Sequence, residues 1–182
     1  DDIGVIIPRK GVLELARLLD GNAPLELMIG SNHIQAANEQ FTFTSKLVDG
    51  KFPDYERVIP KNADKCVVGD RAELRQAFTR TAILSNEKYR GVRLKLTDNN
   101  LEITANNPEQ EQAEEVVAVQ YAGSDLEIGF NVSYLLDVLG VLDQSQVRLS
   151  LSDEASSALL EHAESPAEEE PERLYVVMPM RL

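Results

Sequence analysis

Hydrophobic and polar positions alternate with a period of two in three separate stretches, each broken near its middle by turn-forming residues. Leu25-Glu-Leu-Met-Ile runs into Gly30-Ser-Asn and continues as His33-Ile-Gln-Ala-Ala-Asn. Val92-Arg-Leu-Lys-Leu-Thr meets Asp98-Asn-Asn and continues as Leu101-Glu-Ile-Thr-Ala. Val147-Arg-Leu-Ser-Leu-Ser meets Asp153-Glu-Ala-Ser-Ser and continues as Ala158-Leu-Leu. Alternation on both sides of a turn predicts a β-hairpin in each case.

A helical pattern precedes every hairpin. Over residues 11–19, Val12, Leu15, Ala16 and Leu19 fall on one face at helical spacing. Over 71–84, Asp70 with Glu73 three residues on forms a capping box, and Leu74, Ala77, Phe78 and Thr81 make the stripe to be buried. Over 132–142, Asn131 is the cap and Val132, Leu135, Leu136 and Leu139 turn inward. Short strands at 3–7, 66–68 and 126–130 lead into these helices, and strands at 41–48, 111–119 and 174–178 close the units.

The order is therefore β-α-β-β-β, three times over. The fold class is α+β, and two units make a domain with an antiparallel sheet carrying two helices on one face. Three units give one complete domain plus half of the preceding one. Residues 1–62 are read as the half-domain with its connector and 63–182 as the whole domain. Gly50, Pro53 and Pro60 mark the connector at 49–64. The chain reads as a piece of a longer protein.

The composition supports a folded chain: 43% of its 182 residues are hydrophobic. No apolar run reaches the roughly 18 residues that a membrane-spanning helix needs. A single cysteine, Cys66, offers no internal disulfide, which points to a reducing compartment. Against 18 basic side chains stand 31 acidic ones, a net charge of −13, unlike an ordinary basic nucleic-acid-binding domain. The charge is uneven, however: −3 over residues 1–60, +3 over 61–105 and −13 over 106–182. Glu161, Glu164, Glu168, Glu169, Glu170 and Glu172, interrupted by Pro166 and Pro171, read as a solvated mobile loop.

Catalytic constellations are not evident. His33, His162 and Cys66 stand apart from any ligand cluster at metal-binding spacing, so no metal and no cofactor is expected. Adjacent carboxylates such as Glu114 and Glu115 point to opposite faces of a strand, a poor arrangement for acid–base work. No phosphate-binding glycine loop or nucleophile elbow occurs. The reading is a non-enzyme.

Five stretches go beyond pattern: Ser45-Lys-Leu-Val-Asp-Gly-Lys-Phe-Pro-Asp-Tyr55, Ile83-Leu-Ser-Asn-Glu-Lys-Tyr-Arg-Gly-Val-Arg93, Ile103-Thr-Ala-Asn-Asn-Pro-Glu-Gln110, Phe130-Asn-Val-Ser-Tyr134 and Tyr175-Val-Val-Met-Pro-Met-Arg-Leu182. With them the chain closely resembles the C-terminal half of the bacterial sliding clamp family, the beta subunit of DNA polymerase III. The resemblance implies the sliding-clamp (DNA clamp) fold. It also implies a processivity factor that encircles double-stranded DNA, as a head-to-tail homodimer of full-length chains. The protein would be cytoplasmic, bacterial and nucleoid-associated. Polymerase activity would belong to the holoenzyme it serves. Partners implied are the DNA polymerase III alpha subunit, the clamp-loader delta subunit, translesion polymerases and mismatch-repair proteins, which dock through short linear motifs.

Three sites follow from the resemblance. Arg9 and Lys10 match positions that touch DNA; Arg71, Arg75 and Arg80 are plausible additions that do not all share one helical face, and are otherwise ordinary solvated charges. The peptide-binding groove maps onto Pro53, Arg57, Val58, Tyr89, Asn131, Tyr134, Ala155, Ser157, Val176, Val177, Met178, Pro179, Met180, Arg181 and Leu182. Flexible, polarizable methionine suits a surface that accommodates several ligands. The ring joint maps onto Ile83 and Leu84, otherwise core packing, with Glu109, Glu111, Glu114 and Glu115 paired to basic groups of the partner. An alternative of another class is a truncated clamp-like adaptor that binds client peptides without encircling DNA.

Overall fold

A computed structural model describes residues 3–19, 21, 24–61, 63–164 and 173–181. The acidic stretch 165–172, which holds Pro166, Glu168, Glu169, Glu170, Pro171 and Glu172, lies outside the described residues, as does Leu182. The chain divides into two compact units between Asp54 and Tyr55, inside the segment read as the connector.

In the first unit, helix α1 (Arg9–Leu18) precedes a three-stranded antiparallel sheet of β1 (Glu26–Ile29), β2 (His33–Ala37) and β3 (Thr42–Lys46). The expected strand at 3–7 does not form; its one ladder-like contact is the Ile6 carbonyl, which accepts from Val48 N at 2.9 Å. The helical face is also corrected. Val12, Ala16 and Leu19 are exposed and Leu15 is half-buried, while Gly11 is the buried position. A Cβ at Gly11 would stand 2.7 Å from Ser45 Oγ, so the helix approaches β3 through its glycine rather than through its apolar stripe.

The second unit opens with a short 3-10 turn at Tyr55–Arg57 and holds the two complete repeats. The first repeat is β4 (Lys65–Asp70), α2 (Arg71–Ile83), β5 (Gly91–Thr97), β6 (Asn100–Asn106) and β7 (Gln112–Ala118). The second is β8 (Leu126–Asn131), α3 (Val132–Val141), β9 (Gln146–Leu151), β10 (Ala158–His162) and β11 (Tyr175–Val177). Their strands form two four-stranded antiparallel sheets rather than one, ordered β11-β10-β9-β4 and β7-β6-β5-β8. The reason is an exchange: β4 pairs with β9 of the second repeat, and β8 pairs with β5 of the first. Val68 and Gln120 join the sheets by two backbone hydrogen bonds of 3.0 and 2.7 Å.

Both helices cover this double sheet, and their stripes are buried as the spacing required. Leu74, Ala77, Phe78 and Thr81 of α2 and Val132, Leu135 and Leu139 of α3 are all buried, with Leu136 half-buried. Asp70 Oδ1 accepts from Glu73 N at 2.9 Å and Asn131 Oδ1 from Ser133 N at 2.9 Å, so each helix start has its cap. Val67, Val147, Leu149 and Leu160 from one sheet, Leu101 from the other and four helical side chains meet around a void of only about 20 Å³. One core thus holds the unit together.

Candidate functional site

The chain's last described residues leave β11 and cross to the other sheet. Val176 and Val177 still pair with Leu159 and Ala158, and Val177 is buried. Beyond them Met180 N donates to Gly129 O at 2.8 Å, which pins the tail to the outer edge of β8. Met178 is exposed, while Pro179 and Met180 are half-buried. Two open cavities flank the tail, of about 790 and 520 Å³. Met180 and Arg181 line both; Tyr89 belongs to the wider one, Ala155 and Pro179 to the narrower.

Neighbouring loops are fixed by hydrogen bonds. Ser157 Oγ donates to Val58 O at 2.6 Å, tying the start of the unit to the β9–β10 loop. Within that loop Asp153 accepts from Ala155 N and Ser156 N at 2.8 Å each, and these bonds hold its carboxyl below the usual range. Arg90 adopts a left-handed conformation (φ 53°) because three bonds determine it: its N–H donates to Asn86 O, its carbonyl accepts from Val132 N, and its Nη1 reaches Ala82 O. That turn presents Tyr89, whose carbonyl accepts from Asn131 Nδ2 at 3.2 Å, with its ring exposed. Tyr134 and Val58 are exposed too, as is Arg57. Pro53 belongs to the first unit and is exposed.

On α2, Arg71, Arg75 and Arg80 line a single depression of about 290 Å³, although their spacing puts them on different faces; long side chains bridge the difference. Two of them are engaged. Arg71 Nη1 donates to Leu139 O at 3.1 Å, at the end of α3. Arg80 meets Glu115 of β7 in a two-pronged pair, Nε to Oε1 at 2.6 Å and Nη2 to Oε2 at 2.9 Å. Arg75 makes no ion pair among the described residues. Arg9 and Lys10 are exposed in the first turn of α1.

Ile83 is the most exposed large apolar side chain among the described residues, at 76%, and Leu84 is half-buried, so this pair is not core packing. Glu109 and Glu111, in the turn before β7, and Glu114 on that edge strand are exposed; Glu111 accepts from Asn107 Nδ2 at 2.6 Å. Glu115 is turned to its own chain's Arg80, whose hydrogen bonds pull the Glu115 carboxyl below its ordinary value. A carboxylate with a lowered folded-state pKa contributes stability above the unfolded carboxylate range and loses it as pH falls through the folded value. Glu115→Gln should therefore melt below the parent chain at neutral pH, with the two curves converging as the buffer is acidified below the ordinary carboxylate range. Thermal unfolding followed by circular dichroism across that range checks it.

A family model for the C-terminal domain of the DNA polymerase III beta subunit matches residues 56–181, and one for its central domain matches residues 1–54. The chain belongs to the DNA polymerase III beta subunit family. The beta sliding clamp of Pseudomonas putida is 65% identical over 98% of this chain and 47% of the relative. That of Escherichia coli K12 is 59% identical over 98% and 48%. The crystal structure of a Pseudomonas aeruginosa sliding clamp bound to griselimycin superposes with a TM-score of 0.84 at 62% identity, covering all of this chain and 48% of that one. The chain spans about half the length of the curated relatives it matches. The α+β repeat is thus the fold of the beta subunit family.

For this member of the family, the cavities beside the tail also involve residues that the sequence reading did not single out. Arg93, Glu102, Glu127 and Gly129 stand on the outward positions of β5, β6 and β8 or along their edge. Their signal was present in the alternation itself: Arg93 sits between the buried Val92 and Leu94, so it must face out. Among the described residues no group of three or more His, Cys, Asp or Glu side chains could hold a metal ion, and no helix is long and apolar enough to cross a membrane.

Proposed function

We propose that this chain is the client-docking part of a replication processivity clamp, which in full length closes as a head-to-tail dimer around double-stranded DNA. It performs no chemistry itself; nucleotide addition belongs to the polymerase it tethers. Its clients are the DNA polymerase III alpha subunit, the clamp-loader delta subunit, translesion polymerases and mismatch-repair proteins, in the cytoplasm at the nucleoid. The observation that carries this reading is the apolar tail, pinned at Met180 to β8 between two cavities, the wider of which is lined by the exposed Tyr89.

Sliding requires weak, sequence-blind phosphate contacts. Arg9, Lys10 and Arg75, which make no ion pair among the described residues, would supply them, while Arg71 and Arg80 serve first to hold α3 and β7. Ile83, Leu84 and the acidic edge of β7 would form the ring joint. The remaining groove residues, Arg57, Val58, Asn131, Ala155, Ser157, Val176, Val177, Met178, Pro179 and Arg181, with Pro53 and Leu182, would line the site for a short motif. Burial of its leucine and phenylalanine supplies about 1.5–3 kcal/mol each. A fluorescent Gln-Leu-Ser-Leu-Phe peptide titrated against the 182-residue chain should bind saturably, in the range of about 1–100 µM. No saturation by the folded chain up to about 1 mM would overturn the reading.

A further inference from the structure

The two cavities beside the tail share only three residues: Arg93, Met180 and Arg181. A peptide that passes from one cavity to the other passes this methionine and these two arginines. The charges on the two sides differ. The narrower cavity adds two carboxylates, Glu127 and Glu154. Glu127 there is the ion-pair partner of Arg93. The wider cavity adds one carboxylate, Glu102, and Lys95 already approaches that at 3.7 Å. Arg181 makes no ion pair among the described residues. Lys88, over the Tyr89 ring at 5.1 Å, adds another cation to the same corner. Among the residues that line the wider cavity, two arginines thus stand against one carboxylate, with Glu111 held just outside by Asn107, on a chain whose net charge is −13. Its floor is the outward face of β5 and β6, where the exposed Asn106 can meet an amide of an extended chain.

We propose that the wider cavity is an acidic-segment reader, in which Arg93 and Arg181 bind carboxylates of the client chain just outside its apolar motif. This rests on the groove reading above and names the partner chemistry of the neighbouring subsite: an extended, acidic peptide segment continuous with the motif. Carboxylate and guanidinium match in geometry as well as in charge, and continuity through Met180 makes the second contact intramolecular once the motif has docked. A charged rim of this kind sorts clients that share the same apolar anchors.

The test uses Gln-Leu-Ser-Leu-Phe peptides extended at either end by Asp-Glu-Asp or by the neutral Ser-Gln-Ser. They are titrated against the 182-residue chain and its Arg93→Gln and Arg181→Gln variants by fluorescence anisotropy. At one end the acidic extension should bind about fivefold tighter than the neutral one at low salt, and the ratio should shrink toward one in about 0.5 M salt. In either variant that ratio should fall at low salt. Arg181→Gln lies outside every strand and helix, so it reports even if Arg93→Gln disturbs β5. A ratio of one at both ends overturns the proposal while leaving the groove intact, as does a preference that survives both variants. A short DNA duplex that competes for the acidic peptide but not for the neutral one would reassign the arginines to phosphate. Failure of every peptide to bind overturns the groove reading and this inference with it.

Discussion

Removal of residues 178–182 should weaken docking of a Gln-Leu-Ser-Leu-Phe peptide by more than about a hundredfold, whereas Met180→Ala should cost about tenfold. The difference follows from what each change removes. Met180→Ala takes away one flexible apolar side chain that borders both cavities, a loss of about 1–2 kcal/mol of contact with the ligand. The deletion removes in addition the exposed Met178, the Pro179 wall and the Arg181 guanidinium, and it opens the divide between the cavities. Stability should change little, because buried Val177 and the whole of β11 remain. The backbone bond from Met180 N to Gly129 O is the main intramolecular contact forfeited, at about 1 kcal/mol. Isothermal calorimetry with a melting curve on each protein separates the two effects. A tail-deleted chain that still binds within about threefold of the parent would move the docking site elsewhere.

The β5–β6 hairpin was legible because each alternating residue has a face to fill, whereas in β1 all four residues are exposed and the alternation marks no burial. In β5, Val92, Leu94 and Leu96 are fully buried while Arg93 and Lys95 point to solvent, so period two and burial coincide. The helical stripes of α2 and α3 were legible for the same reason, and so were their caps, which depend on one local side chain each. What could not be read was anything set by partners distant in sequence. The exchange of β4 and β8 between repeats is a choice among equally apolar edges, and local pattern does not rank them. Residues 3–7 look like a strand, yet strand formation needs a neighbour, and only Ile6 finds one. Likewise, α1 is amphipathic, but the three-stranded sheet beside it meets Gly11 and leaves Val12 and Leu19 uncovered. Side-chain length defeated the helical-face argument at Arg71, Arg75 and Arg80, which share one depression in spite of their spacing. The groove residues were reached through a family resemblance. From residues alone, an apolar terminal strand such as β11 reads as an ordinary edge, and the pin at Gly129 O depends on a backbone atom that carries no sequence mark.

Phe130→Ala should be the most damaging single substitution in the second unit. Phe130 is the largest of its completely buried side chains, directly opposite the equally buried Val92 in the β5–β8 ladder. Truncation to alanine loses the transfer energy of the ring and leaves a cavity that a two-helix, two-sheet core cannot close, at about 3–5 kcal/mol. For a unit of this size that is a fall in melting temperature of roughly 15 °C. The damage should reach the docking site, because the residues on either side of Phe130 serve it: Gly129 O holds the tail and Asn131 caps α3 and supports the Tyr89 loop. Peptide affinity should then drop even at temperatures where the unit is still folded. Tyr134→Ala is the informative contrast. Its ring is exposed on the first turn of α3, so its removal should change stability by no more than about 0.5 kcal/mol while still weakening the peptide. Melting curves and titrations on both variants should thus give one that loses stability and binding together and one that loses binding alone. If Tyr134→Ala destabilised the unit as much as Phe130→Ala, its ring would belong to the core rather than to the docking surface.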